Sequence, residues 1–153
     1  MIEGLQAAVD AVGELHSKLV LLVSHDHRRC SRALRCFASQ RGSAIVSVGS
    51  ALGRRLASRA ASRRPITAVD TLRDLLPTRT DDNLVMLDHL EILFDRTLRI
   101  DPLDVLRQIA RVRKVLAVWP GEMNDQKLQY ATHGHAEFRE YGVEGVVTFE
   151  IQS

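Results

Sequence analysis

The chain has only two cysteines among its 153 residues, Cys30 and Cys36. They stand almost two turns apart on one expected helix, about 9 Å along the axis, which is too far for a disulfide. There is no C-x-x-C and no H-E-x-x-H, so the commonest zinc patterns are missing. Two H-x-H pairs exist, His25-x-His27 and His133-x-His135. The first falls in an expected turn and the second spans a glycine, so neither is expected to bind metal. No apolar run approaches the roughly 18–20 residues of a membrane span. The N-terminus also lacks the basic start and apolar core of a secretory leader. The expectation is a cytoplasmic protein without membrane contact.

One further absence is the most informative. Lys18-Leu-Val-Leu-Leu-Val23 is a buried-strand run, followed by Ser24-His-Asp-His-Arg-Arg-Cys-Ser31 and an amphipathic helix. A phosphate-binding loop, G-x-x-x-x-G-K-[ST], belongs at such a strand-to-helix turn. Laid on this chain, its glycines become Ser24 and Arg29, its lysine becomes Cys30, and only Ser31 agrees. The Walker A motif is degenerate: a side chain at the second glycine position disfavours positive φ, and the neutralising charge is gone.

What is present is ordinary globular composition, 45% hydrophobic and 26% charged, and a length suited to one domain over 1–153. The net charge of +2 conceals a division. Residues 1–64 carry 11 Lys/Arg against 4 Asp/Glu, and residues 65–153 carry 10 against 15. A basic first half faces a polyanion, or meets an acidic half in assembly.

Residues 2–16 have helical apolar spacing, and Lys18–Val23 reads as a strand covered on both faces. Over Arg28–Gln40, Cys30, Ala33, Leu34, Phe37 and Ala38 form one stripe, with Arg28, Arg32 and Arg35 off it. Ala44–Val48 is a second strand candidate ended by Gly49. Residues 50–63 read as a helix that carries Arg55, Arg59 and Arg63 at i, i+4 spacing. Like charges so spaced repel, and an anionic partner relieves that cost. Arg64-Pro65 is expected to end this helix, and Thr67-Ala-Val-Asp70 to start a short one that stops near Pro77. Asn83–Leu87 is the third strand. Asp101-Pro102 caps and opens a helix. Lys114–Trp119 is the fourth strand, and Val146–Phe149 the last. Strands alternating with helices predict a three-layer α/β protein with a mostly parallel sheet.

Such sheets bind ligands beyond the carboxyl ends of their strands. Ser24–Ser31, Asp88–Phe94 and Trp119–Glu122 are expected there. Four apolar residues and an Asp end the third strand, Leu84-Val-Met-Leu-Asp88, as in nucleotide hydrolases where that Asp holds Mg²⁺ through water. The plainer alternative is an Asp that caps the following turn. Arg28 and Arg29 at a helix start are anion-binding candidates, with Ser31 beside them. Cys30 is expected to face the core.

From about Ser47 onward, further segments carry a resemblance. They are Leu-Asp-His-Leu-Glu-Ile-Leu-Phe (87–94), Asp-Pro-Leu (101–103), Ala-Val-Trp-Pro-Gly-Glu (117–122), Leu-Gln-Tyr-Ala (128–131), Gly-His (134–135) and Glu-Phe-Arg-Glu-Tyr (137–141). Gly-Arg-Arg-Leu (53–56) and Arg-Arg-Pro-Ile (63–66) agree more loosely. Over more than half its length the chain resembles the BrxF family, the small P-loop-type proteins of type 3 bacteriophage-exclusion (BREX) phage-defence systems. The resemblance implies a RecA/AAA-like P-loop NTPase fold and a place beside a large ATPase and a DNA methyltransferase. It also implies an acidic site at Asp88 and Glu91, with His89 where the family more often has Asn.

The first expectation is therefore a binding subunit with no required cofactor, touching DNA or a partner through Arg28, Arg29, Arg32, Arg55, Arg59 and Arg63. The alternative is a Mg-ATPase. In it, Ser31 and Asp88 hold the metal, Glu91 or His89 orients water, and Arg111 or Arg113 is an arginine finger in a homo-oligomer. A third expectation is an assembly adaptor whose basic and acidic halves meet between subunits.

Overall fold

The computed structural model describes residues 2–58, 64–130 and 139–151. Its centre is a five-stranded sheet made of β1 (Leu19–Val23), β2 (Val46–Ser47), β3 (Leu84–Asp88), β4 (Lys114–Val118) and β8 (Val147–Glu150). Every pairing in it is parallel, in the order β2-β3-β4-β1-β8. All five residues of β1 and of β3 are buried, as continuous apolar runs in a doubly covered sheet require.

The pleat sorts the core into two layers. Val20, Leu22, Leu84, Met86, Leu116 and Val118 pack against α1 (Ile2–Ala11) and α2 (His27–Arg41). Leu19, Leu21, Val23, Val85, Leu87, Val115, Ala117 and Trp119 pack on the other face. That face is covered by α3 (Val48–Ala57), α4 (Arg64–Leu75) and α5 (Pro102–Ile109). Helix–sheet–helix is the three-layer architecture the alternation predicted.

The capping chemistry agrees with the sequence at two helices. Asp101 accepts the Asp104 N–H at 3.1 Å, and Pro102 opens α5. α2 ends on Gly42 at φ +65°, a left-handed cap that favours glycine. Elsewhere the boundaries move. α1 stops at Ala11 and tightens into a 3₁₀ turn over Val12–Glu14, across Gly13. β2 is two residues rather than five, because α3 begins at Val48, whose side chain is buried. Gly49 thus opens a helix rather than ending a strand. A Cβ there would stand 3.3 Å from the His89 carbonyl oxygen, so the close approach uses the glycine. Pro65 lies in the first turn of α4, where its missing N–H costs nothing, so Arg64-Pro65 opens a helix.

A second sheet was not expected. β5 (Glu122–Asn124), β6 (Lys127–Tyr130) and β7 (Arg139–Gly142) form an antiparallel meander. It is anchored by rings: Phe94 stacks on Tyr130 at 3.9 Å, and Trp119 meets Phe94 and Tyr141 edge-on at 5.3 and 5.5 Å. Each such pair adds about 0.5–1.5 kcal/mol beyond its buried area. The Trp119 indole also donates to the Gln129 carbonyl at 3.0 Å. Among the described residues no helix is long and apolar enough to cross a membrane.

Candidate anion-binding cleft

The start of α2 and the carboxyl ends of β3 and β4 surround a cleft of about 350 Å³. Arg28, Ser31, Arg32 and Arg35 line it from α2, Asp88, His89 and Glu91 from the end of β3, and Val118 and Pro120 from the end of β4.

β1 reaches α2 through only three residues, Ser24–Asp26. Asp26 is the N-cap of α2, and its carboxylate accepts the Arg28 N–H at 3.0 Å. The Asp26 N–H donates to Ser24 Oγ at 3.1 Å, and the Arg29 N–H donates to the Asp26 carbonyl at 3.1 Å. A helix N-terminus attracts phosphate through free amides and a partial positive charge. Here the chain's own carboxylate already stands on one of those amides, that of Arg28. Arg29, Cys30 and Ser31 lie inside the helix, so the wide phosphate-cradling turn is not formed.

That geometry revises two expectations. Arg29 does not line the cleft: its Nε is 3.6 Å from Asp26 Oδ2, in a half-exposed ion pair. Arg29 is helical, so no positive φ is demanded of it. Cys30, at the lysine position, is buried as expected. Its thiol is pushed up to about 12, first by desolvation and then by the charges of Asp88 and Asp26. It is therefore protonated and no nucleophile at neutral pH.

Across the cleft, Asp88 is 5% exposed, one of two buried polar side chains among the described residues. Its Oδ1 accepts the His89 N–H at 2.7 Å, the turn-capping bond foreseen as the plainer role. Its Oδ2 lies 3.9 Å from His89 Nε2, beyond hydrogen-bond reach. His89 sits at φ 57°, ψ 57°, a left-handed conformation costly for a residue with a Cβ. Glu91 is exposed on the 3₁₀ turn Leu90–Phe94 that follows.

Arg28, Arg32 and Arg35 recur at i, i+4 and i+7 on one face of α2. None has a side-chain hydrogen bond or ion pair among the described residues, although all three are exposed in the cleft. Among the described residues nothing relieves their mutual repulsion. Sequence reasoning passed over Arg35, although its place off the apolar stripe with Arg28 and Arg32 carried the signal.

The remaining candidates lie elsewhere. Arg55 is exposed on α3, in the opposite layer, and Arg59, Arg63, His133 and His135 are outside the described residues. Arg111 is exposed just before β4, at the amino ends of the strands and so opposite the cleft. Arg113 is engaged within the chain, donating to the Pro77 carbonyl at 2.7 Å and to Thr80 Oγ1 at 3.2 Å. The reach expected of an arginine finger is therefore absent from Arg113 in this conformation.

The H-x-H loop works as a clasp. His27 Nε2 donates to the Gly121 carbonyl at 3.0 Å, and His25 Nδ1 lies 3.3 Å from Glu122 Oε1. Among the described residues, no group of three or more His, Cys, Asp or Glu is placed to hold a metal ion. Comparison with protein-family models, with curated proteins and with solved structures finds no match to this chain.

Proposed function

We propose that this chain is a nucleic-acid-binding subunit built on a remodelled P-loop-type scaffold, the counterpart of BrxF in a type 3 BREX defence system. The observation that carries the reading is the line of Arg28, Arg32 and Arg35, without side-chain partners among the described residues, beside a helix start already capped by Asp26. Arginines left free on a concave surface are a phosphate-backbone footprint. The sheet order supports the scaffold: one strand, β4, separates the strand before the loop from the strand that ends in the acid, as in the RecA/AAA type. The system's large ATPase and DNA methyltransferase are the partners this reading supplies, and other copies of the chain are further candidates.

The residues present do not fit a nucleotide held in the usual phosphate-loop mode. The Arg28 amide is capped by a carboxylate, the loop is three residues long, and the lysine position holds a buried thiol. A Mg-ATPase reading rests instead on Ser31, Asp88 and Glu91 sharing one cleft. Calorimetric titration of Mg-ATP with Asp88→Ala as control separates the two. Binding lost in the variant favours the ATPase.

DNA binding is tested by fluorescence anisotropy against salt. If three phosphates are neutralised, log K falls with log salt at a slope of about −2.7, roughly 40-fold between 50 and 200 mM. Replacing Arg28, Arg32 and Arg35 together by Ala is expected to flatten that slope toward zero. Unchanged affinity and slope would refute the assignment.

A further inference from the structure

The cleft has walls of opposite sign. Arg28, Arg32 and Arg35 form one, and Asp88 and Glu91 lie in the other. A polyanion that filled this space would bring phosphate against two carboxylates. The matching ligand is anionic at one end and a hydrogen-bond donor at the other. Asp88 sharpens the requirement, because a carboxylate only 5% exposed has been largely taken out of water. Its Oδ2 accepts no hydrogen bond among the described residues and is not sealed from solvent, so it is open to a donor that enters the cleft.

Size narrows the ligand. About 350 Å³ is near the lower end of small-ligand clefts and has room for one nucleotide unit. A duplex passing over the surface meets only the rim of α2. The end of a strand enters. Strand ends commonly carry phosphate at the 5′ position and a free hydroxyl at the 3′ position, so the 3′ end supplies the donor.

We propose that the cleft receives the 3′ end of a DNA strand, with the last internucleotide phosphate on the Arg28, Arg32 and Arg35 wall and the terminal hydroxyl donating to Asp88 Oδ2. This inference rests on the DNA-binding reading above and adds the strand terminus as the element recognised. No metal takes part in it, and no bond is made or broken.

The test uses the full chain in EDTA with three single-stranded DNAs of one sequence: linear with a 3′-hydroxyl, linear with a 3′-phosphate, and circular. The two linear strands carry a fluorophore at the 5′ end and the circle an internal one. The 3′-hydroxyl strand is expected to bind at least about tenfold more tightly than the other two, because juxtaposed like charges are penalised. Asp88→Asn is expected to bring the ratio of 3′-hydroxyl to 3′-phosphate binding toward one. Glu91→Gln, on an exposed turn whose fold does not depend on it, is expected to lower the same ratio in part. That second variant keeps the test decisive if Asp88→Asn fails to fold. Equal binding of all three DNAs would overturn end recognition while leaving DNA binding intact. An undiminished preference in both variants would overturn the role given to the acidic wall. Binding of none of the DNAs would overturn the underlying reading as well.

Discussion

Replacing Asp26 by Ala separates the two things this residue does. Its carboxylate caps α2 at 3.0 Å from the Arg28 amide, and it faces Arg29 at 3.6 Å. Losing an Asp cap costs about 1 kcal/mol, within a range of about 0.5–2. The Arg29 pair is about half exposed on both sides and adds at most a few tenths. For a chain of this size each kcal/mol lowers Tm by about 2–4 °C, so a fall of about 2–6 °C is expected. Anion binding is expected to move the other way. An amide and a guanidinium are released, and a negative charge leaves the helix N-terminus. If that gains about 1 kcal/mol, affinity for magnesium-free tripolyphosphate rises about fivefold. Asp26→Asn keeps the capping oxygen and drops only the charge, so it should hold native stability within about 0.5 kcal/mol and bind the anion with intermediate strength. Urea denaturation and calorimetric titration on the same samples read both effects. An Asp26→Ala protein as stable as the native one and no better at binding tripolyphosphate would show that this carboxylate does not occupy an anion position.

Four further outcomes are expected. Gly121→Ala would drive a Cβ into the Gln129 carbonyl, with Trp119 Nε1 only 2.9 Å away, and should destabilise by about 1–3 kcal/mol in thermal melts. A melt equal to the native one would contradict the close packing of the β4–β5 turn. At pH 8, Cys36 should alkylate with iodoacetamide while Cys30 stays unmodified by mass spectrometry. Because the Cys30 pKa is raised when folded, its contribution to stability is complete below about pH 9 and is lost as pH rises toward about 12. Cys30→Ala should therefore flatten the alkaline fall in urea midpoint, and an identical fall would refute the linkage. His89→Gly removes the left-handed strain and should stabilise by about 1 kcal/mol. A loss of stability would mean that the imidazole holds the turn.

The sheet was legible because its three central strands carry unbroken apolar runs of four or five residues, each strand buried along nearly its whole length. α2 and α5 were legible because an apolar stripe and terminal signals agree, although the Asp26 cap itself was overlooked. The second sheet was not. Its strands are three or four residues long and only half-buried, and the contacts that fix them are tertiary, made by Phe94 and Trp119. In the cleft, Asp88 and Ser31 could be placed because strand ends and helix starts sit at fixed positions in such folds. The behaviour of the loop could not. Aligning eight residues on a motif assumes a loop of the motif's length, and α2 starts at His27, before the alignment would release the chain. Arg29 was therefore assigned to the anion site, and Arg35, two turns along the same face as Arg28, was missed.

The parallel sheet also decides when the chain can complete its fold. β1 lies between two neighbours that come late in synthesis: Leu19 pairs with Val115, and Val20 with Val147. A ribosome adding about 5–20 residues per second leaves the Leu-Val-Leu-Leu-Val segment without its sheet neighbours for about 5–25 s after it is made. Helices on both faces are made in that interval, α2 at once and α3 to α5 later, but neither hydrogen-bonding edge of the strand is paired until β4 and β8 follow. The most apolar strand of the protein is thus the one whose open edges need protection for longest, and slow elongation lengthens that need.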